Sequence, residues 1–281
     1  MKAIFFRFFV LFCMARVLIG CNTGIKNDSE NNILFDSFFV DKAYHLLDVE
    51  TNPKCSLQIQ FVYPKDYTNK DILKLVQQQF ISGFLGDEYV SFAPKEAAEQ
   101  YALNFIAKYK EEEDNFKMEL ENHGHETMES WYSYNETSNN QIVYNRNDVL
   151  SFVVYKDCYY GGAHGSHQYI NRVVDLKTGQ QIMENDIFVD DYPDDLANII
   201  VNGIASANQV EVTELENIGF FNVKEIYPNK NFYVDETGIT YTFNEYEIAA
   251  YVVGPVSITI PYDKIRYLLR QESPVSSIAF R

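Results

Sequence analysis

The sequence predicts an α+β fold, with antiparallel sheets packed against several helices and two subdomains in tandem. Three observations predict it. Stretches with apolar residues at every second position lie beside stretches with apolar residues every third or fourth position. The two kinds are mixed without the strict alternation that builds a parallel sheet. Short turn signals, such as Asn52-Pro53 and Asp235-Glu236-Thr237-Gly238, join strand-like runs into hairpins. The chain has 281 residues, 46% of them hydrophobic, enough to bury a sizeable core and to exclude a wholly disordered chain. No internal repeat is visible.

The N-terminus has a basic start (Lys2, Arg7), an apolar stretch from Phe8 to Ala15 and small residues near Cys21, the layout of a secretory signal. The uninterrupted apolar run is far shorter than the roughly 20 residues that span a bilayer. Leu18-Ile19-Gly20-Cys21 resembles the lipobox of bacterial lipoproteins. That resemblance implies cleavage after residue 20 and lipidation of Cys21, with several acyl chains giving a stable anchor. Asn22, where an Asp often marks inner-membrane retention, points to the outer membrane. Residues 21–37, polar and rich in Asn, read as a tether.

The elements then follow in order. Phe38 to Val49 and Lys54 to Tyr63 form a hairpin, with Leu57, Ile59 and Phe61 on one face. Asn69 to Phe84 is a helix, with Ile72, Leu75, Val76, Gln79, Phe80 and Gly83 on one stripe and Gly86 closing it. A longer helix runs from Pro94 to about Asn122 and buries Ala98, Ala102, Phe105 and Tyr109. Strands follow at Thr127–Asn135, Gln141–Tyr144, Val149–Tyr160 and Tyr169–Leu176. Asp190 to Ala207 is a helix with Leu196, Ile200 and Ile204 inward. Phe232–Val234 and Ile239–Phe243 form a second hairpin, with Gly238 at the position needing positive φ. A strand at Val256–Ile260 and a short helix at Tyr262–Leu269 complete the chain.

Net charge is -17; removing residues 1–20 takes away three bases and no acid, leaving -20. That balance argues against nucleic acid, which needs clustered Lys and Arg. It favours a cationic partner and a salt-sensitive encounter. Four cysteines are too few for a disulfide scaffold, and only Cys55 and Cys158 remain beyond the signal and the anchor. In an oxidising compartment they either pair, for up to about 4.7 kcal/mol in the chain-entropy model, or stay as buried thiols. The sequence leaves both open.

Two stretches carry a family resemblance. One is Tyr159-Tyr160-Gly161-Gly162-Ala163-His164-Gly165 with Val174-Asp175-Leu176-Lys177-Thr178-Gly179. The other is Asn231-Phe232-Tyr233-Val234, Phe243-Asn244-Glu245-Tyr246-Glu247 and Gly254-Pro255-Val256-Ser257-Ile258-Thr259-Ile260. Together they resemble the RsiV/PdaC-type extracytoplasmic domain, found in a lysozyme-sensing anti-sigma factor and as the N-terminal part of a peptidoglycan deacetylase. The resemblance implies a PdaC-like subdomain over residues 38–178 and an RsiV-like one over 179–281. The deacetylase activity of that family lies in a separate domain whose metal site needs an Asp pair and a His-x4-His segment. No His-x4-His segment occurs in this chain. The resemblance therefore implies binding, with lysozyme or peptidoglycan as partner, rather than catalysis.

Candidate chemistry is sparse. Tyr159, Tyr160, Gly161, Gly162 and His164 form the candidate ligand loop; a tight turn between two strands is the plainer reading of its glycines. His123/His125 and His164/His167 with Asp157 or Glu126 would need three or four converging ligands to hold zinc, and no metal or cofactor is expected. Asp190/Asp191 and Asp194/Asp195 sit at a helix start, where acids are favourable without catalysis. Tyr241, Phe243, Tyr246 and Tyr251 are either core or an exposed aromatic platform. The sequence thus favours a lipid-anchored, non-catalytic binding module of the cell envelope. A glycan-modifying enzyme or accessory subunit is the alternative.

Overall fold

A computed structural model describes residues 30–123 and 129–280. The signal, Cys21 and His125 lie outside the described residues.

The first sheet has the order β1-β2-β3-β4-β5. β1 (Leu34–His45) and β2 (Lys54–Asp66) make the expected antiparallel hairpin, with Val40 opposite Ile59 and Phe38 opposite Phe61. The described structure begins at residue 30, inside the tether expected over residues 21–37. Asn31 donates to Asn145 Oδ1 and to the Val149 carbonyl, and accepts from Asp148 N, while Ile33 enters the core. An Asn-rich segment can thus be fixed by its amides, which a polar composition does not reveal.

Helix α1 (Lys70–Phe84) is capped by Asn69, whose side chain accepts from Asp71 N and Ile72 N. It buries Val76, Phe80 and Phe84 on the sheet; Phe80 stacks on Phe152 at 3.9 Å between centroids. The long helix expected from Pro94 to Asn122 is interrupted. α2 (Pro94–Lys110) ends at the Glu111-Glu112 break, and α3 (Glu113–His123) follows. Glu113 explains the break: its carboxylate accepts from Tyr44 Oη at the end of β1 and from Leu47 N on the β1–β2 turn, which redirects the chain. The strand expected at Thr127–Asn135 is instead the short helix α4 (Glu129–Tyr132), then β3.

β3 (Tyr134–Arg146) runs through the break expected at residues 136–140 and lies parallel to β2, so the first sheet is mixed. The intervening helices return the chain to the same end of the sheet, as a parallel pair requires. Beyond the last ladder pair, the Asn140 amide donates to the Val62 carbonyl and accepts from Val62 N, both at 2.8 Å. A side chain there does what backbone would do. β4 (Val149–Tyr160) and β5 (Ser166–Asp175) complete the sheet, antiparallel throughout.

Leu150, Phe152 and Val154 of β4 face α1 and α2, while Val149 and Val173 join a second core. That core is built by α5 (Glu184–Ile187), α6 (Tyr192–Asn208) and the antiparallel sheet β6 (Phe232–Val234), β7 (Gly238–Phe243) and β8 (Val256–Pro261). α7 (Tyr262–Ile265) and α8 (Ser276–Ala279) close it, so the expected terminal helix is one α-turn and a 3₁₀ turn. Gly238 does not need positive φ. A Cβ there would lie 2.1 Å from the Ile260 carbonyl oxygen, so close strand approach selects glycine.

The two subdomains meet along the outer edge of β5, where side chains rather than a sixth strand cap the backbone. Tyr169 N donates to Asn244 Oδ1 (2.7 Å) and Asn171 N to Asn231 Oδ1 (2.7 Å). The amides of Asn231 and Asn244 both donate to the Tyr169 carbonyl (3.0 Å each). His167 N donates to Glu245 Oε2 (3.1 Å), and Ile182 N to the Val173 carbonyl (2.8 Å). Ser151 Oγ donates to the Val234 carbonyl, joining β4 to β6. Asn231→Ala leaves the Asn171 N–H without its acceptor and the Tyr169 and Thr242 carbonyls without one of their donors. It should lower stability by about 2–4 kcal/mol in chemical denaturation, whereas a change within about 0.5 kcal/mol would show that water replaces the amide freely.

Candidate functional site

The five residues of the candidate loop do not form one site. Gly161 (φ 80°) and Gly162 (φ 96°) turn the chain from β4 to β5, and a Cβ on Gly161 would lie 2.4 Å from the Trp131 carbonyl oxygen. The turn reading therefore accounts for both glycines. The Tyr159 hydroxyl lies 3.0 Å from the Ser130 carbonyl and 2.9 Å from the Gly162 carbonyl, shares its one proton between them and braces that turn. Tyr160, on the opposite face of β4, points its hydroxyl to Glu136 at 2.5 Å.

His164 joins a different group. Its ring stacks on Tyr251 (4.0 Å between centroids), its Nδ1–H donates to the Gly165 carbonyl (2.8 Å), and its Nε2 accepts from Tyr246 Oη (3.2 Å). Tyr251 Oη donates to the Gly165 carbonyl and stacks on Tyr246. Tyr246 is held at φ 64°, a backbone conformation that bulky residues seldom adopt. It is 55% exposed, and nearby in the chain Val252 is 89% exposed. Tyr241 and Phe243 are core, so the expected aromatic run divides: two residues inward, two at the junction.

His167 forms the charged part of this junction. Its Nδ1–H donates to Glu245 Oε1 at 2.7 Å, its Nε2 lies 3.8 Å from Asp157, and Tyr155 stacks against it. The hydrogen bond to Glu245 raises its pKa above the ordinary 6.5, against a smaller opposing effect of burial; the charges of Glu245 and Asp157 add to the rise. His164 and His167 are thus engaged separately. Among the described residues no group of three or more His, Cys, Asp or Glu could hold a metal ion.

Cys55 and Cys158 are free thiols, so of the two alternatives the sequence left open the structure has the unpaired one. Cys55 sits on β2 and Cys158 on β4, with β3 between them. Two strand spacings amount to about 10 Å, whereas a disulfide needs Cα atoms within about 7 Å. Burial raises both thiols above their ordinary value. Strand-end position alone cannot reveal an intervening strand contributed from 80 residues away.

The sequence pattern did not single out a second locality. Beside α2 and the ends of β3 and β4 lies a cavity of about 480 Å³, walled by Tyr89, Tyr101, Tyr109, Tyr134, Tyr160 and Phe105. Behind it Glu136, 2% exposed, accepts from Tyr101 Oη (2.8 Å to each oxygen), from Tyr160 Oη and from Ser138 Oγ (3.4 Å). Burial first, then the Glu136 charge, pushes the Tyr101 and Tyr160 hydroxyls far up, so both remain donors at any physiological pH. The available signal was an acid at an inward-facing position of β3, hidden by the break expected there.

Residues 50–167 match the family model "Deacetylase PdaC", and residues 185–263 match "Protein of unknown function (DUF3298)". A solved DUF3298-family protein of Bacteroides fragilis is similar at 28% identity and TM-score 0.83, over 89% of this chain and 98% of that one. A DUF3298-family protein of Pseudomonas aeruginosa shares the fold at 10% identity and TM-score 0.55, over 86% of this chain and 96% of its own. None of the curated proteins matches. The second matched segment contains Asn231, Asn244 and Glu245, the residues that cap β5.

Two measurements check this geometry. A chain lacking residues 1–21, unfolded without reductant, should react with two equivalents of thiol reagent; none would mean a disulfide. The second concerns pH. Because the folded pKa of His167 is raised, its pairing with Glu245 contributes fully below about pH 6.5 and is lost as pH rises through the folded value. Glu245→Gln should therefore lower Tm more at about pH 6 than at about pH 9; equal losses would refute a charged pair.

Proposed function

The chain carries a PdaC/DUF3298-type domain, and from that premise we propose that it is a lipid-anchored binding module of the bacterial cell envelope. Cys21 carries the anchor, the outer membrane is its location, and the domain recognises a cationic protein such as lysozyme, or a peptidoglycan-related ligand, without catalysing a reaction. Among the described residues no helix is long and apolar enough to cross a membrane.

The observation that carries this reading is the aromatic junction surface. Tyr246, Tyr251 and His164 are locked against one another by stacking and hydrogen bonds, and Tyr246 and Val252 stand out into solvent. Rigid, amphipathic aromatic area is the composition of binding hot spots, because little side-chain freedom remains to be lost on association. The negative charges of Glu245 and Asp157 are felt at Tyr251, and the exported chain carries -20 overall. Charge of that sign speeds encounter with a basic protein and makes the rate depend on salt.

The test is calorimetric titration of the mature chain with lysozyme at low and moderate salt. Binding that weakens with salt is expected, and Tyr246→Ala should weaken it about tenfold or more with the folded state retained in circular dichroism. No heat at either salt would exclude lysozyme as the partner.

A further inference from the structure

The tyrosine cavity has the chemistry of a cation site. Tyr101 and Tyr160 donate their only hydroxyl protons to Glu136, and Tyr109 donates its own to the Tyr132 carbonyl. Their oxygens can therefore only accept from whatever enters. Glu136 forms no ion pair among the described residues. The rim carries Glu88, Glu111 and Glu112 against one cation, Lys108. Tyrosine faces attract cations, and within this fold one already does: Lys156 Nζ lies 5.2 Å over the Tyr101 ring. The acceptor oxygens and the acidic rim disfavour an anion, and a neutral apolar ligand would leave those oxygens without donors.

We propose that this cavity binds an alkylammonium group. Two sources share that chemistry, a free organic amine and the lysine side chain of a protein partner; only the second rests on the binding function above. The ammonium would donate to the hydroxyl oxygens of Tyr101 and Tyr160, with its methylene stem against Phe105 and Tyr134. Glu136 acts through the two tyrosines, as a positioning residue that fixes their protons away from the ligand.

The probes are Nα-acetyl-lysine methylamide and its neutral counterpart Nα-acetyl-norleucine methylamide, titrated calorimetrically into the mature chain. The lysine derivative should saturate below about 10 mM and bind at least about tenfold tighter than the norleucine one. Lys108→Gln should tighten lysine binding, Glu112→Gln should weaken it most at low salt, and Glu136→Gln should cost about tenfold. Lys108 and Glu112 lie at the rim, so they decide the matter if Glu136→Gln does not fold. Equal binding of the two probes, no saturation by the lysine derivative, or no response to Lys108→Gln would overturn the proposal.

Lysozyme separates the sources. If lysozyme binds equally to the wild type and to Glu112→Gln while the small probe does not bind, this cavity is refuted and the proposed function stands. If the small probe binds and lysozyme does not, the cavity stands, its ligand is a free amine and lysozyme is excluded.

Discussion

The structure depends on covering the outer edge of β5. An edge strand presents backbone N–H and C=O groups that must find partners once they are taken out of water. Here they are met from His167 to Val173 without another strand: Glu245, Asn244 and Asn231 cap them with side chains, and residue 182 supplies a backbone N–H. An amide can donate and accept at once, so a single Asn serves two backbone groups. These bonds fix the position of the second subdomain on the first. They also bring the loop at residues 161–165 against the segment at residues 244–252, so the aromatic junction follows from the capping.

Each subdomain also holds a buried glutamate that organises tyrosines. Glu136 takes the hydroxyls of Tyr101 and Tyr160. Glu184, 3% exposed, takes the hydroxyl of Tyr192 and the backbone N–H of Lys230, and its charge helps keep the buried Tyr241 hydroxyl protonated. A buried carboxylate left without donors would cost several kcal/mol, so these networks specify where their tyrosines sit. The second is closed within its core. The first opens onto a cavity, and there the same chemistry faces a space a ligand can enter.

Much of the fold was legible in the sequence because local rules and tertiary packing agreed. The β1–β2 hairpin, α1, α6 and the β6–β7 hairpin all follow from periodicity and turn residues. The misreadings share one physical cause, a distant partner. Glu113 broke the long helix by bonding to the β1–β2 turn, Asn31 bound the β3–β4 turn from within the stretch read as a tether, and Asn140 let β3 continue where polar residues suggested a loop.

The sequence by itself determined the α+β class, the order of most elements, the acidity and the family likeness, because these rest on composition, short-range periodicity and residues close together in the chain. Only the tertiary structure decided that Tyr159, Tyr160 and His164 serve three different surroundings, and that Cys55 and Cys158 stand two strands apart. It also gathered Tyr101 and Tyr160 around Glu136, with Tyr134 packed against Tyr160. Alternate residues of one strand face opposite sides of its sheet, and neighbours across a sheet come from segments tens of residues apart. A site made in that way has no local pattern to read.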